Sequence, residues 1–257
     1  MRTFPLSSTA RTREVVRHEL RRRRATVVGR VELPGSLVRI TLGGEELDGF
    51  TSLGPEDHVK LLFPSADGVV GRDYTPSEFR ALGASSGPEL DIDFVVHGAE
   101  GPATAWASTA GEGDELEFGG PRGSRLAPTG YRNALLIADP SGLPALRRWV
   151  RAFAGDPTTH VVLFGGADAA FLDETERASV LLQVLGDGHD LLATVEAQDV
   201  DADTFVWAAG EAGALVPVRR HLKALGLPKE NRSMHGYWKR GEAGLDHHAP
   251  LDPTDPD

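Results

Sequence analysis

An antiparallel β-barrel followed by an open α/β domain is the architecture this sequence predicts, and three observations carry the prediction. Between Ala25 and Ala127, short stretches of alternating polarity are separated by Gly, Pro and Asp-Gly turns at close spacing, as in a small antiparallel barrel. After Pro128 continuous apolar runs replace the alternation, as in strands buried on both faces of a parallel sheet. Those runs are separated by helix-length segments, the signature of βαβ units. The expected boundaries are a basic arm over 1–24, a barrel over 25–128, an α/β domain over 129–244 and a disordered tail over 245–257.

The barrel strands are expected at Ala25–Val31, Leu37–Leu42, His58–Pro64, Val69–Tyr74, Glu89–His97 and Gly113–Phe118, with Pro34-Gly35 and Asp67-Gly68 as turns. One helix interrupts them over Ala103–Ala110, started by Pro102 near its first turn. Parallel strands are expected at Asn133–Ala138, His160–Phe164, Asp190–Val195 and Thr204–Ala209, with a helix from Pro144 to about Ala154 after the first.

Composition removes several function classes. A net charge of -11 argues against general nucleic-acid binding, although the N-terminal stretch is rich in arginine. That stretch lacks the apolar centre of a secretory signal and reads as a solvated arm or first helix. The chain has no cysteine, which excludes disulfides, thiolate metal sites, iron–sulfur clusters and cysteine nucleophiles, and fits a cytoplasmic protein. No apolar run reaches the roughly 18 residues of a membrane span. Neither a G-x-S-x-G elbow nor an H-E-x-x-H motif is present, so hydrolase and metalloenzyme readings are poor and no metal ligands are assigned.

Two stretches carry the candidate chemistry. Gly71-Arg72-Asp73-Tyr74-Thr75-Pro76 offers a cation, a ring and a hydroxyl in a row, which suits a flat ring system joined to phosphate. Phe94 to Ala107 reads as a strand, a glycine turn and a helix start, whose amides suit the same phosphate. Together they suggest a flavin dinucleotide site, with an ordinary edge strand and a capped helix as the plain structural alternatives. The turn Asp139-Pro-Ser-Gly-Leu-Pro144 follows the first parallel strand, where ligands of open α/β sheets bind, but it lacks G-x-G-x-x-G. Trp207-Ala-Ala-Gly210-Glu211 ends the last apolar strand, and two roles are open for Glu211: a ligand carboxamide's acceptor or the cap of the following helix. Gly236-Tyr-Trp-Lys-Arg-Gly241 reads either as a segment returning over the flavin edge or as a strand with solvated cations.

Taken together, these motifs resemble the siderophore-interacting protein family of flavin-dependent ferric-siderophore reductases. The resemblance runs from about Arg24 to Gly241 through Leu42-Gly-Gly, Gly49-Phe50, His58-Val-Lys-Leu-Leu-Phe-Pro, Arg72-Asp-Tyr-Thr-Pro, Asp93-Phe-Val-Val-His-Gly and Gly101-Pro-Ala-Thr-Ala-Trp-Ala. Gly120-Pro-Arg-Gly-Ser, Trp207-Ala-Ala-Gly-Glu and Gly236-Tyr-Trp-Lys-Arg-Gly complete it. It implies a ferredoxin-reductase-like fold, an FAD-binding barrel followed by a parallel-sheet domain for NADH or NADPH. Arg72, Tyr74, Thr75, His97, Gly101, Pro102, Ala103 and Thr104 would hold FAD. Asp139, Ser141, Gly142, Gly210 and Glu211 would meet the nucleotide, and Lys60, Arg122, Lys239 and Arg240 the ferric siderophore. No side chain is expected to act as a catalytic acid or base, because the chemistry belongs to the flavin. One departure is visible: where the family has Asp-Glu-Thr-Ala-Leu-Pro-Ala, this chain reads Asp139-Pro-Ser-Gly-Leu-Pro-Ala. The nucleotide contacts and the donor are therefore open, with ferredoxin as the alternative to a nicotinamide. A cytoplasmic monomer is expected, without nucleic-acid partner or membrane insertion. Two rival readings stand beside the reductase: a flavin reductase serving a protein acceptor, and a non-catalytic siderophore-binding or utilisation protein.

Overall fold

The computed structural model describes residues 11, 13–66, 68–81, 87–96, 101–242, 244–245 and 249–255. They fall into two compact units, one spanning Glu14–Leu126 and the other beginning at Ala127 and including Arg11 and Arg13.

The first unit is antiparallel. Its strands are β1 (Val15–Arg17), β2 (Arg22–Leu33), β3 (Leu37–Gly43), β4 (Val59–Ser65), β5 (Gly68–Tyr74), β6 (Pro76–Ala81) and β7 (Pro88–Val95), then β8 (Glu115–Gly119) and β9 (Gly123–Arg125). Seven of them form one barrel-like sheet in the order β5-β4-β8-β2-β3-β7-β6, and β1 pairs separately with β9. The core follows from the alternation: Val59, Leu61 and Phe63 of β4 and Leu90, Ile92 and Phe94 of β7 are fully buried. On β7 the opposite face is buried as well, because Arg80 and Arg39 fold over Asp91 and Asp93 in paired hydrogen bonds of 2.7–2.9 Å. Helix α1 (Pro102–Thr109) packs Ala103 and Ala107 into this core.

The second unit is a five-stranded sheet in which every pairing is parallel. In chain order it comprises β10 (Asn133–Ala138), α2 (Leu143–Ala152), β11 (Thr158–Leu163), α3 (Glu174–Ala178), β12 (Leu181–Val184), α4 (Leu191–Glu196), β13 (Thr204–Glu211), α5 (Ala212–Ala224) and β14 (Arg232–Trp238). The strand order is β12-β11-β10-β13-β14, so the sheet reverses direction of growth between β10 and β13. That is the topological switch point of an open α/β sheet.

Three expectations need correction. Asp190–Val195 is not a strand: Leu191–Glu196 forms α4, because the Asp190 carboxylate accepts from the Leu192 and Ala193 amides and caps the helix. Part of the supposed N-terminal arm belongs to the barrel, since Arg22, Arg23 and Arg24 pair in register with Gly119, Phe118 and Glu117, and Arg22 and Arg24 both meet the Glu117 carboxylate. Arg11 and Arg13 instead stack over Tyr131 and Trp149 of the second unit, at 4.3 and 4.9 Å. The tail is held where it is described: Asp252 pairs with Arg220 at 2.6 Å, and Asp255 meets Lys223 and Arg219 on α5.

Candidate flavin and nucleotide sites

The two stretches singled out in the barrel sequence meet in space. Arg72 and Tyr74 share one face of β5, two residues apart. The Tyr74 ring lies 4.5 Å from Phe94 and 6.5 Å from Phe63, centroid to centroid. Trp106 of α1 sits 5.7 Å from Phe94 and 5.6 Å from Phe63, so one aromatic cluster joins β4, β5, β7 and α1. Burial pushes the Tyr74 phenol well above its ordinary range, against a smaller pull from Arg72, so it stays neutral. Thr75 is buried at the end of the same strand.

Helix α1 begins without a side-chain cap. Gly101, its N-cap, has φ 101°, offers no side chain to the first-turn amides and leaves open space where a Cβ would stand. Pro102 occupies the first turn without needing a donor. Arg72 donates Nη1 to the Gly71 carbonyl at 2.8 Å and forms no ion pair among the described residues. An uncapped helix start, an uncompensated guanidinium and a half-buried ring fit the pyrophosphate and ring of FAD. His97 was assigned to the same cofactor and lies outside the described residues.

The switch point of the second unit has the opposite character. Asp139, 1% exposed, accepts from Ser141 N at 2.8 Å, Ser141 Oγ at 2.6 Å and Gly142 N at 3.3 Å. Its other oxygen accepts from Glu211 N at 2.8 Å and from the Trp238 indole at 2.7 Å. Burial pushes the Asp139 carboxyl up, and these donors oppose the shift. The Glu211 carboxylate caps α5 at Ala214 N, 2.7 Å, and accepts from Arg240 N at 3.1 Å. So Asp139, Ser141, Gly142, Gly210 and Glu211 are brought together, but Ser141, Gly142 and Glu211 are bonded to Asp139 and Gly210 is packed against it. The glycines serve this packing: a Cβ on Gly210 would meet Asp139 Cγ at 2.5 Å, and one on Gly142 the Ala209 carbonyl at 2.8 Å. Trp238 is the member that sequence reasoning missed. Its motif was noticed, but a side-chain bond across 99 residues leaves no local signal.

A second cleft in this unit, about 370 Å3, opens at the carboxyl ends of β11 and β12 and is walled by Phe164, Gly165 and the turn Gly186–Asp190. Asp168, in the loop after β11, caps a single 3-10 turn through Ala170 N at 2.8 Å.

The candidate substrate cations divide between the units. Lys60 is paired with Asp73 at 2.7 Å, next to Arg72 on the paired strand, and Arg122 is exposed after β8. Lys239 and Arg240 follow β14, where Lys239 is paired with Glu242 at 2.8 Å. No group of His, Cys, Asp and Glu among the described residues is arranged to hold a metal ion. The part-buried chain His18 Nε2···Ser124 Oγ, 2.7 Å, then Ser124 Oγ to Asp57, 2.5 Å, places serine between the other two. That order cannot activate a nucleophile and instead ties β1 and β9 to the 52–57 turn.

Comparison with known proteins places the chain in a family. Residues 131–241 match the family described as siderophore-interacting protein, and residues 26–71 and 66–125 match the siderophore-interacting FAD-binding domain. The NADPH-dependent ferric-chelate reductase of Escherichia coli is 34% identical over 266 residues, covering 91% of this chain and 99% of that protein. A siderophore utilization protein from T. fusca superposes with a TM-score of 0.81 at 34% identity, covering 92% of this chain and 100% of that one. The cytochrome b5 reductase domain of Ulva prolifera nitrate reductase shares the fold alone, with TM-score 0.62 and 14% identity over 83% of this chain and 97% of that one. With its barrel, its parallel sheet and an uncapped α1 beside Tyr74, the chain belongs to the siderophore-interacting protein family of ferredoxin-reductase-like flavoproteins.

Proposed function

We propose that this chain reduces ferric siderophores, using FAD in the barrel and a nicotinamide as electron source. The observation that carries the reading is the meeting of Tyr74 with Phe94 and α1, which gathers a ring platform, a cation and free helix amides in one unit. The chemistry that the side chains lack is supplied by bound FAD, which takes a hydride from a nicotinamide and releases electrons singly. The protein's share is positional. Tyr74 offers its face to the ring, Arg72 and the Ala103 and Thr104 amides hold phosphate, and the neutral phenol adds no charge beside the ring. Siderophores hold Fe(III) through hard oxygen donors, and Fe(II) is held more weakly, so one added electron loosens the cargo. Lys60 and Arg122 in the barrel unit and, separately, Lys239 and Arg240 in the α/β unit are the cations we propose as candidates for contact with the anionic complex.

On the donor side we assign the switch-point carboxylates a shaping role, because a pyrophosphate there would face Asp139 and Glu211. The cleft beside Gly186–Asp190 suits the adenosine end of the dinucleotide. Its walls carry Asp187 and Asp190 and neither lysine nor arginine, which favours an unphosphorylated ribose and hence NADH, unlike the Escherichia coli relative named for NADPH. Ferredoxin is the alternative donor, and the buried Asp139 network is what favours it. The lack of cysteine fits a cytoplasmic protein, and no helix among the described residues is long and apolar enough to cross a membrane. We take the working unit to be a monomer.

The test is an anaerobic visible spectrum of the FAD-loaded protein before and after NADH or NADPH. A ferric siderophore and an Fe(II) trap are then added to the same cuvette. Flavin bleaching, followed by recovery as trapped Fe(II) appears, is the expected result. Flavin that only a chemical reductant or reduced ferredoxin bleaches would reassign the donor, and absence of flavin binding would remove the proposal.

A further inference from the structure

Arg23 is an unusual residue for the inside of a barrel. It stands on β2 at 6% exposure, in a run of four arginines, Arg21 to Arg24, of which Arg22 and Arg24 on either side of it point outward to Glu117. Its guanidinium lies 5.5 Å over the Phe50 ring. Its only described hydrogen bond is a long one, Nη1 to the Gly120 carbonyl at 3.5 Å, and its buried Nε has no partner. Burial and the neighbouring Arg21 pull its pKa down, against weaker support from Glu19 and Glu46. A buried cation with no carboxylate bonded to it is costly, and native proteins normally neutralise or pair such a group.

The space this guanidinium faces is a cavity of about 350 Å3, large enough for a small molecule. Arg17 and Arg21 line it with Arg23, and neither forms an ion pair among the described residues. Thr51 adds a hydroxyl and His18 an imidazole, while Glu19 and Asp48 on the wall leave the guanidiniums and carboxylates of the lining with one net positive charge. Gly49 at φ 68° has open space where a Cβ would stand, so the backbone there does not obstruct the cavity. No residue of the flavin cradle (Arg72, Tyr74, Thr75 and 101–104) lines it, nor do the four docking cations.

From the unpaired buried guanidinium and the arginines around its cavity, we propose that the barrel unit carries a second, separate anion site that binds a compact oxoanion of phosphate or carboxylate type. The planar fork of Arg23 matches two oxygens of either group, and Arg17 and Arg21 supply charge at the rim. Occupancy relieves the uncompensated charge, so the oxoanion stabilises the barrel whatever the fate of the reductase assignment.

The test uses the full chain saturated with FAD, so that added anion does not report on the flavin's own phosphate contacts. Inorganic phosphate and, separately, citrate are titrated by calorimetry against chloride at matched ionic strength. Saturable binding of one probe per chain is expected. Saturation by phosphate alone or by citrate alone assigns the ligand class, and saturation by both assigns a general oxoanion site. Arg23→Met should weaken binding at least about tenfold while leaving the unfolding midpoint without ligand equal or higher, because it deletes an unpaired buried charge. Arg23→Lys keeps the charge without the fork, and should fold and bind several-fold more weakly than wild type. The proposal is overturned if neither probe saturates, if either variant binds as tightly as wild type, or if Arg23→Met is markedly destabilised without ligand.

Discussion

Arg72 and Trp238 show how differently single side chains work in the two units. Arg72 keeps its guanidinium beside Tyr74 without an ion pair among the described residues, so its charge is left for an arriving anion. Arg72→Ala should therefore weaken FAD binding by roughly 10- to 100-fold, about 1.4–2.8 kcal/mol, in a flavin-fluorescence titration. The unfolding midpoint of the flavin-free protein should barely move, and a large drop there would make Arg72 a structural residue. Trp238 donates into a carboxylate already surrounded by donors. Trp238→Phe should cost about 1–3 kcal/mol in urea unfolding, the worth of a hydrogen bond to a charged group. An unchanged midpoint would mean that water replaces the indole. The Arg72 feature was legible in the sequence because cation, ring and hydroxyl stand in a row. The Trp238 bond was not, because it forms only after β14 has paired beside β13.

At the scale of elements, strand and helix types were readable wherever a run was long or clearly periodic. The strand predicted at Asn133–Ala138 and the helices predicted at Ala103–Ala110 and from Pro144 stand close to β10, α1 and α2. Asp190–Val195 shows where such reading fails. The five residues of Leu, Ala, Thr and Val after Asp190 carry no decisive period, and the capping carboxylate at their start decides for helix. The same limit applies to the C-terminal residues, whose proline and aspartate content suggested disorder while the acids find α5. Asp252 is held well below its ordinary pKa by Arg220 first and Thr254 next, and Asp255 by Lys223 first. For carboxylates depressed in the folded state, the stabilisation is present above the unfolded value of about 3.9 and is lost as pH falls through the lower folded values. Acidification below about pH 4 should accordingly loosen residues 249–255 from α5 before the sheets unfold. Hydrogen exchange at the Thr254 and Asp255 amides across that range checks this, and pH-independent protection would sink it.

At the scale of the whole molecule, charge sets how a substrate approaches. The chain carries a net charge of -11, and two of the four docking candidates, Lys60 and Lys239, already face carboxylates. Long-range repulsion should then prevail over local attraction for an anionic ferric chelate. Raising ionic strength from about 0.02 M to about 0.2 M should increase kcat/KM for such a chelate and leave a neutral one unaffected. A decrease would show that Arg122, Arg240 and their neighbours govern the encounter. The succession of an antiparallel and a parallel sheet was visible in the change of pattern along the sequence, whereas the pairing state of each cation was not, because ion pairs across strands depend on register. The placement of the four tryptophans also equips the molecule with built-in optical reporters. Trp106 stands on α1 in the barrel unit, while Trp149, Trp207 and Trp238 all belong to the α/β unit. A protein with Trp106 as its sole remaining indole would report, through its emission, on events in the barrel alone, and the complementary Trp106→Phe protein on the other unit.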